Sequence, residues 1–393
     1  MPHRQSRRPQ VATSEVVRDI NKRVVLNLIR TRQPLSRADL ARLSGLQRST
    51  VSLIVEELVA DLWVLEGPTG RLPRGRRPTF LRLNDERVII GIDIRPTQTT
   101  VSLADVNGRF ASQEAMPTPA DPKIALDELV VRVKRLIGSC TGKKVEGIGV
   151  SLPGRIDRTS GRLAFAPNLK WPECDIRKPL QDASGLEVEL ENAANACVLA
   201  AVWFDHIESR NFVVVTVSEG IGTGILVNGQ LAHGSSGRAG EFGHIPLDPS
   251  GPACNCGGRG CWEVFGSNRA ALRYYLESTA QHEGLTFGDL LSLAEKEDAR
   301  AVQALETMAR HLGRGMRMIV AGMDPAQILV IGDLTRCWHR MGPIIQAEVQ
   351  AQVLPGGVPP RLVPVHEGGL ARQRGAIALV LQKHFGAIRD VAS

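Results

Sequence analysis

The sequence predicts an α/β protein: a small basic helix-turn-helix module with a wing, then a two-lobed body with a cleft between its lobes. Three observations predict it. Positive charge is concentrated near the start, the apolar spacing there is helical, and beyond Arg87 it changes to short β-type runs that end in turns. At 393 residues the chain is long enough for two or three domains with sizeable cores.

Charge separates the parts. Residues 1–90 hold 17 Lys and Arg against 9 Asp and Glu, a net of +8, whereas the other 303 residues hold 31 against 32. A basic module on a neutral body points to a polyanion as partner of the first ninety residues. No run reaches the ~18–20 apolar residues of a membrane span. The basic start, Met1-Pro-His-Arg-Gln-Ser-Arg-Arg8, is followed by no hydrophobic segment, so no signal peptide is expected. Cys140, Cys174, Cys197 and Cys337 are scattered singly among the seven cysteines, as reduced core thiols of a cytoplasmic protein would be.

In the basic module, Val24, Val25, Leu28 and Ile29 make a helical stripe, giving a first helix over 21–30. Pro34-Leu35-Ser36 ends it. Ser36 and Asp39 have the spacing of a capping pair for a second helix over 37–43. Ser44-Gly45-Leu46 is the turn, with Gly45 free to take a positive φ. A third helix over 47–60 buries Val51, Ile54, Val55 and Leu58 and leaves Gln47, Arg48, Ser49, Thr50 and Ser52 exposed. Those donors and acceptors suit base edges and phosphates in a major groove. Strands at 63–65 and 80–83 flank a hairpin tip carrying Arg74, Arg76 and Arg77 among glycine and proline, a wing able to enter a narrow minor groove. The module is therefore expected to be a winged helix-turn-helix that binds double-stranded DNA.

The body opens with a strand at 88–94 and its hairpin partner at 99–105. A further strand, 144–150, runs into Ser151-Leu-Pro-Gly154-Arg-Ile-Asp157. A second pair, 211–216 and 222–227, surrounds Glu219-Gly-Ile-Gly222. Helices at 125–137 and 301–321 separate such units, which implies two related lobes and a cleft.

The densest chemistry lies between His244 and Cys261, where one imidazole and three thiols (Cys254, Cys256, Cys261) fall within eighteen positions. That inventory suits a four-coordinate structural zinc with no open position for a catalytic water. Buried thiols, or a disulfide in an exported chain, are the alternatives. Glu241 and Glu263 flank the run, so a metal here would set two carboxylates side by side.

These residues together resemble the ROK family (repressor, open reading frame, kinase) over nearly the whole chain. The marks are Gly154 in Leu-Pro-Gly, Ala166-Pro-Asn168-Leu-Lys-Trp171, Glu191-Asn192, the run Gly234–His244 with Ala239-Gly-Glu241-Phe-Gly-His244, and the cysteine run closed by Glu263. The resemblance implies an actin- and hexokinase-like (ribonuclease H-like) body with sugar in the cleft, Gly154 at its edge, and structural zinc beside it. It implies that Asn168, Asn192, Glu241, His244 and Glu263 bond the sugar hydroxyls, with His244 also on the metal. The expected division is a winged helix-turn-helix over 1–84, a first lobe over 85–190 completed by 368–393, and a second lobe with the zinc site over 191–367.

Two departures argue against phosphoryl transfer. ROK kinases resemble Glu-Asn-Asp-Ala-Asn at the active site, where the aspartate takes a proton from the attacking hydroxyl. Here the run is Glu191-Asn-Ala193-Ala-Asn195. In the first phosphate turn kinases resemble Asp-x-Gly-Gly-Thr, and this chain has Asp93-Ile-Arg95-Pro96-Thr97, whose side chains and missing N–H oppose a phosphate. The expectation is a non-enzymatic transcriptional regulator, a repressor working as a homodimer or dimer of dimers, whose effector is a sugar or sugar derivative. A sugar kinase with an attached DNA-binding domain, and a regulator controlled by a protein partner, are the competing readings.

Overall fold

The computed structural model describes residues 14–69, 78–157, 160–205, 207, 209–277, 284–351, 357–366 and 368–385. The chain divides into two compact units, 1–87 with 382–393, and 88–381. The expected wing arginines Arg74, Arg76 and Arg77 lie outside the described residues.

In the first unit α1 (Ser14–Arg32) begins a turn and more before the expected helix, and its core face is Val25, Leu26, Leu28 and Ile29. A two-residue strand, β1 (Leu35–Ser36), leads into α2 (Arg37–Ser44). The cap pair is reciprocal: Asp39 N donates to Ser36 Oγ at 3.2 Å and Ser36 N donates to Asp39 Oδ2 at 3.2 Å. A Ser or Thr cap of this kind is worth about 1 kcal/mol. Gly45 ends α2 at φ 72°, a left-handed value that glycine adopts without strain. In α3 (Arg48–Ala60), Val51, Ile54, Val55 and Leu58 form the buried stripe. β2 (Val64–Thr69) and β3 (Thr79–Leu83) pair antiparallel, with β1 on the outer side of β3. The three helices and this hairpin are the parts of a winged helix-turn-helix. Trp63 anchors the end of the unit: the Arg87 guanidinium lies 3.9 Å over its ring and Phe385 meets it edge-on at 5.5 Å.

The second unit holds two five-stranded sheets. In chain order its first lobe contains β4 (Arg87–Ile94), β5 (Gln98–Asp105), β6 (Phe110–Pro117), α4 (Pro122–Ser139) and β7 (Lys144–Leu152). Three short strands follow, β8 (Arg155–Asp157), β9 (Arg162–Phe165) and β10 (Cys174–Asp175), then α5 (Arg177–Ser184) and β11 (Val188–Asn192). Sheet order is β11-β7-β4-β5-β6, with β7 and β11 parallel and β4, β5 and β6 a meander. Every residue of β4 is buried, as expected of a strand covered on both faces.

The second lobe is built from α6 (Ala193–Phe204), β12 (Phe212–Val217), β13 (Ile221–Val227) and β14 (Gln230–Leu231). Next come α7 (Trp262–Gly266), α8 (Asn268–Glu277), α9 (Phe287–Glu295) and α10 (Ala299–Met323). It closes with β15 (Gln327–Ile331), α11 (Trp338–Gln350) and β16 (Arg361–Val365). The sheet runs β14-β13-β12-β15-β16. α10 is the long amphipathic helix of this lobe, and Leu305, Met308, Leu312, Met316 and Ile319 on it are fully buried.

The last helix, α12 (Gly368–Phe385), belongs to both units. Its Gln373 Oε1 accepts from Gln113 Nε2 of β6 at 2.7 Å, and its Ala371 packs in a cluster with Phe212 and Leu329. Among the described residues, 382–385 group with the N-terminal unit. The reason is local: Phe385 and His384 find the Trp63 ring, with the His384 centroid at 4.7 Å.

Candidate functional site

A cleft of about 430 Å³ opens between the two sheets of the second unit. Gly154, Asn168, Asn192, Glu241, His244 and Glu263, the six residues expected to touch ligand, all line it. They come from five separate stretches of chain, and each is held differently.

Asn192 ends β11 and caps α6: its Oδ1 accepts from Ala194 N at 2.9 Å, and its Nδ2 donates to the Gly154 carbonyl at 2.9 Å. Beside it Glu191 is buried. Its Oε1 accepts from Asn195 Nδ2 at 3.1 Å, and its Oε2 lies 2.8 Å from His233 Nε2. His233 begins the glycine-rich run to His244, so this pair ties the loop of the second lobe to the end of the first lobe's sheet. Asn168 sits in a tight turn closed by the Ala166–Trp171 bridge. Its Oδ1 accepts from Arg269 Nη1 at 3.1 Å and from Asn255 Nδ2 at 3.3 Å. Both donors belong to the other lobe, which makes Asn168 a clasp across the cleft.

Glu263 opens α7 and is 5% exposed. Its Oε2 accepts from Ile221 N at 3.0 Å and stands 3.5 Å from Asn168 Nδ2. Gly220 is what permits this: a Cβ there would stand 2.2 Å from Glu263 Oε2 and 2.6 Å from Asn168 Nδ2. Glu241, by contrast, is on a single 3₁₀ turn, Glu241–His244, with its carboxylate about half exposed to the cleft.

His244 joins the cleft to the cysteines. Its Nδ1 lies 3.7 Å from Cys254 Sγ, and its Nε2 lies 3.8 Å from Glu241 Oε2. Cys256 Sγ and Cys261 Sγ are 3.7 Å apart, and the four donor atoms all lie within 4.8 Å of one another. Tetrahedral zinc with bonds of about 2.3 Å to sulfur would place its sulfur ligands about 3.8 Å apart. The donor set would fit such an ion with shifts of about 1 Å or less. The loop can be this tight because Gly260 (φ 62°) passes against Asp248, where a Cβ would come within 1.5 Å of the carbonyl oxygen. Burial pushes the Cys254 and Cys261 thiols up, so a cation is what would hold them as thiolates. Of the four scattered cysteines, Cys140, Cys197 and Cys337 are buried and Cys174 half-buried, all with free thiols; burial raises Cys197 to about 12.

The other side of the cleft holds a buried carboxylate engaged by two arginines. Asp93 is fully buried at the end of β4. Arg95 Nε donates to its Oδ2 at 2.7 Å and Arg372 Nε to its Oδ1 at 2.8 Å. Arg372 Nη2 also donates to Ile94 O at 3.1 Å. Burial opposes the charge on Arg95, but the neighbouring Asp93 outweighs it and holds its pKa above the usual value. Pro96, Ala193 and Arg372 line the cleft here. Arg155, Arg238 and Arg372 are cleft residues that sequence reasoning missed. So is Gly220, although Glu219-Gly-Ile-Gly222 was visible as a turn.

On the first unit, Gln47, Arg48 and Ser49 are exposed, while Thr50 and Ser52 are half-buried. Gln47 caps α3 with its backbone alone, which leaves its amide free of the cap.

This architecture has relatives. The sequence profile of the ROK family matches residues 89–383. The chain belongs to the ROK family. A xylose repressor of Bacillus spizizenii is 30% identical over 381 residues, spanning 95% of this chain and 98% of that protein. Among solved structures, a ROK family transcriptional regulator, a homologue of the E. coli MLC protein, superposes with TM-score 0.78 at 24% identity. It covers 94% of this chain and 99% of that one. A ROK family glucokinase from Streptomyces griseus, in complex with glucose and AMPPNP, gives TM-score 0.69 at 27% identity over 75% of this chain and 99% of its own. The body thus has the hexokinase-like ROK fold, preceded by helix-turn-helix elements. Among the described residues no helix is long and apolar enough to cross a membrane.

Proposed function

We propose that this ROK protein is a cytoplasmic DNA-binding repressor, not an enzyme, and that a sugar in its cleft changes its affinity for an operator. The observation that carries the non-catalytic reading is Ala193. It lines the cleft at the first turn of α6, where a kinase of this family resembles Asp, and a methyl group cannot take a proton from a hydroxyl. A positioned base contributes ~10²- to 10⁴-fold to rate. The double arginine grip on Asp93 supports the same conclusion, since that carboxylate is already neutralised.

The polar face of α3 and the basic balance of the first ninety residues support DNA as the partner. The cleft supports a sugar: Asn192, Glu241 and Glu263 offer amide and carboxylate oxygens of the kind that adjacent hydroxyls require. His244, Cys254, Cys256 and Cys261 would hold a structural zinc that fixes Glu241 and Glu263 relative to each other. Ligand would favour one closure of the lobes. In a symmetric dimer that closure would change how two half-sites are engaged.

The test is a thermal-shift titration of the full chain with a panel of pentoses, hexoses, amino sugars and sugar phosphates. A selective stabilisation that Glu241→Ala removes supports the reading. No stabilisation by any sugar would favour control by a protein partner.

A further inference from the structure

The exposed face of α3 carries one residue that polar readout does not use. Val51, Ile54, Val55 and Leu58 are at most 2% exposed and complete the helix's core stripe. Leu53 points away from that core and is 62% exposed. Helical spacing aligns Ser49, Ser52, Leu53 and Glu56 in one ridge on the outer face. An isolated exposed leucine is ordinary on a protein surface. On a face whose neighbours offer hydroxyl, amide and guanidinium groups to a duplex, it is the large exposed apolar side chain.

The major groove displays one apolar mark, the C5-methyl of thymine, and apolar side chains read it. Leu53 stands one turn beyond Ser49 on that ridge, so a major groove that receives Ser49 and Ser52 also receives Leu53. We propose that Leu53 reads a thymine methyl group in the major groove, as a specificity-determining residue of the operator complex. This rests on the DNA-binding reading and refines it.

The experiment is selection of sites from a randomised duplex library by the full-length protein, followed by replacement of each thymine with deoxyuridine, which deletes only the methyl. The expected result is a thymine in each half-site whose replacement weakens wild-type binding about fourfold, the worth of one buried methyl. Leu53→Ala should bind the thymine and deoxyuridine duplexes equally while keeping the wild-type melting temperature. The inference is overturned if no replacement affects wild type, or if Leu53→Ala still distinguishes the two duplexes. Recovery of no site would overturn the DNA-binding reading itself, a different outcome from recovery of a site indifferent to thymine methyls.

Discussion

Arg372 on the last helix, which lines the cleft, and Asp93 at the end of β4, 279 residues apart, form a buried ion pair of 2.8 Å. With Arg95 on the other carboxylate oxygen, the acid is fully engaged by the protein itself. The pair is a structural joint that also anchors α12.

Removing one partner of that joint strands a buried carboxylate. Arg372→Met should destabilise the protein toward the lower end of the about 3–5 kcal/mol typical of a broken buried pair, because Arg95 remains. Chemical denaturation of the purified variant checks this; an unchanged midpoint would show that Arg95 alone satisfies Asp93.

Restoring the missing acid should not restore catalysis. Ala193→Asp supplies a carboxylate at α6, yet Pro96 still lacks an N–H and the two arginines still engage Asp93. Neither wild type nor Ala193→Asp is expected to release ADP in the presence of ATP and sugars. Sugar-dependent turnover by wild type would establish the kinase reading.

The metal cluster predicts one zinc per chain by elemental analysis. Cys256→Ser or Cys261→Ser should lose it, lower the melting temperature by several degrees and abolish any sugar response, because binding energy of the ion is also folding energy. Zinc should be lost as pH falls, since protons compete for the thiolates. A zinc-free protein with intact response would contradict this account.

Gly220→Ala should abolish sugar stabilisation, because a Cβ displaces both Glu263 and Asn168. DNA binding measured by fluorescence anisotropy should survive. A variant that binds sugar normally would mean that those two residues do not hold the ligand.

His311 gives a pH dependence. Burial, then the nearby Arg314, lowers its pKa below 6.5, and its ring stacks on Phe265 at 5.1 Å. Below pH 6.5 the unfolded chain takes up a proton that the folded chain refuses. Stability is therefore complete above that value and declines as pH falls toward the folded pKa. His311→Gln should flatten the melting-temperature profile below about pH 6.5.

What the sequence disclosed followed the range of the interactions. Ser36 and Asp39 were readable as a cap because the motif is three residues long, and the α3 stripe because its period is local. The cysteine run was readable because its ligands are close in the chain. Asn168, Asn192 and Glu263 were reached only through family resemblance, since nothing local marks them as neighbours. Arg372, Gly220 and the Glu191–His233 pair were not reached at all. Their roles depend on contacts between lobes, and no spacing rule encodes those. The contact of the last turn of α12 was not reached for the same reason: its partner, Trp63, lies more than three hundred residues earlier in the chain.

The proposed repressor couples a sugar in the cleft to DNA at α3. The most direct test of that coupling is operator binding by fluorescence anisotropy, titrated with the sugar that stabilises the protein, for wild type and Glu241→Ala. The account predicts an affinity change of at least about tenfold in wild type, within the usual range of allosteric coupling, and none in Glu241→Ala, whose affinity without sugar is unaltered. Operator affinity that no sugar changes, or that changes equally in the variant, would contradict it.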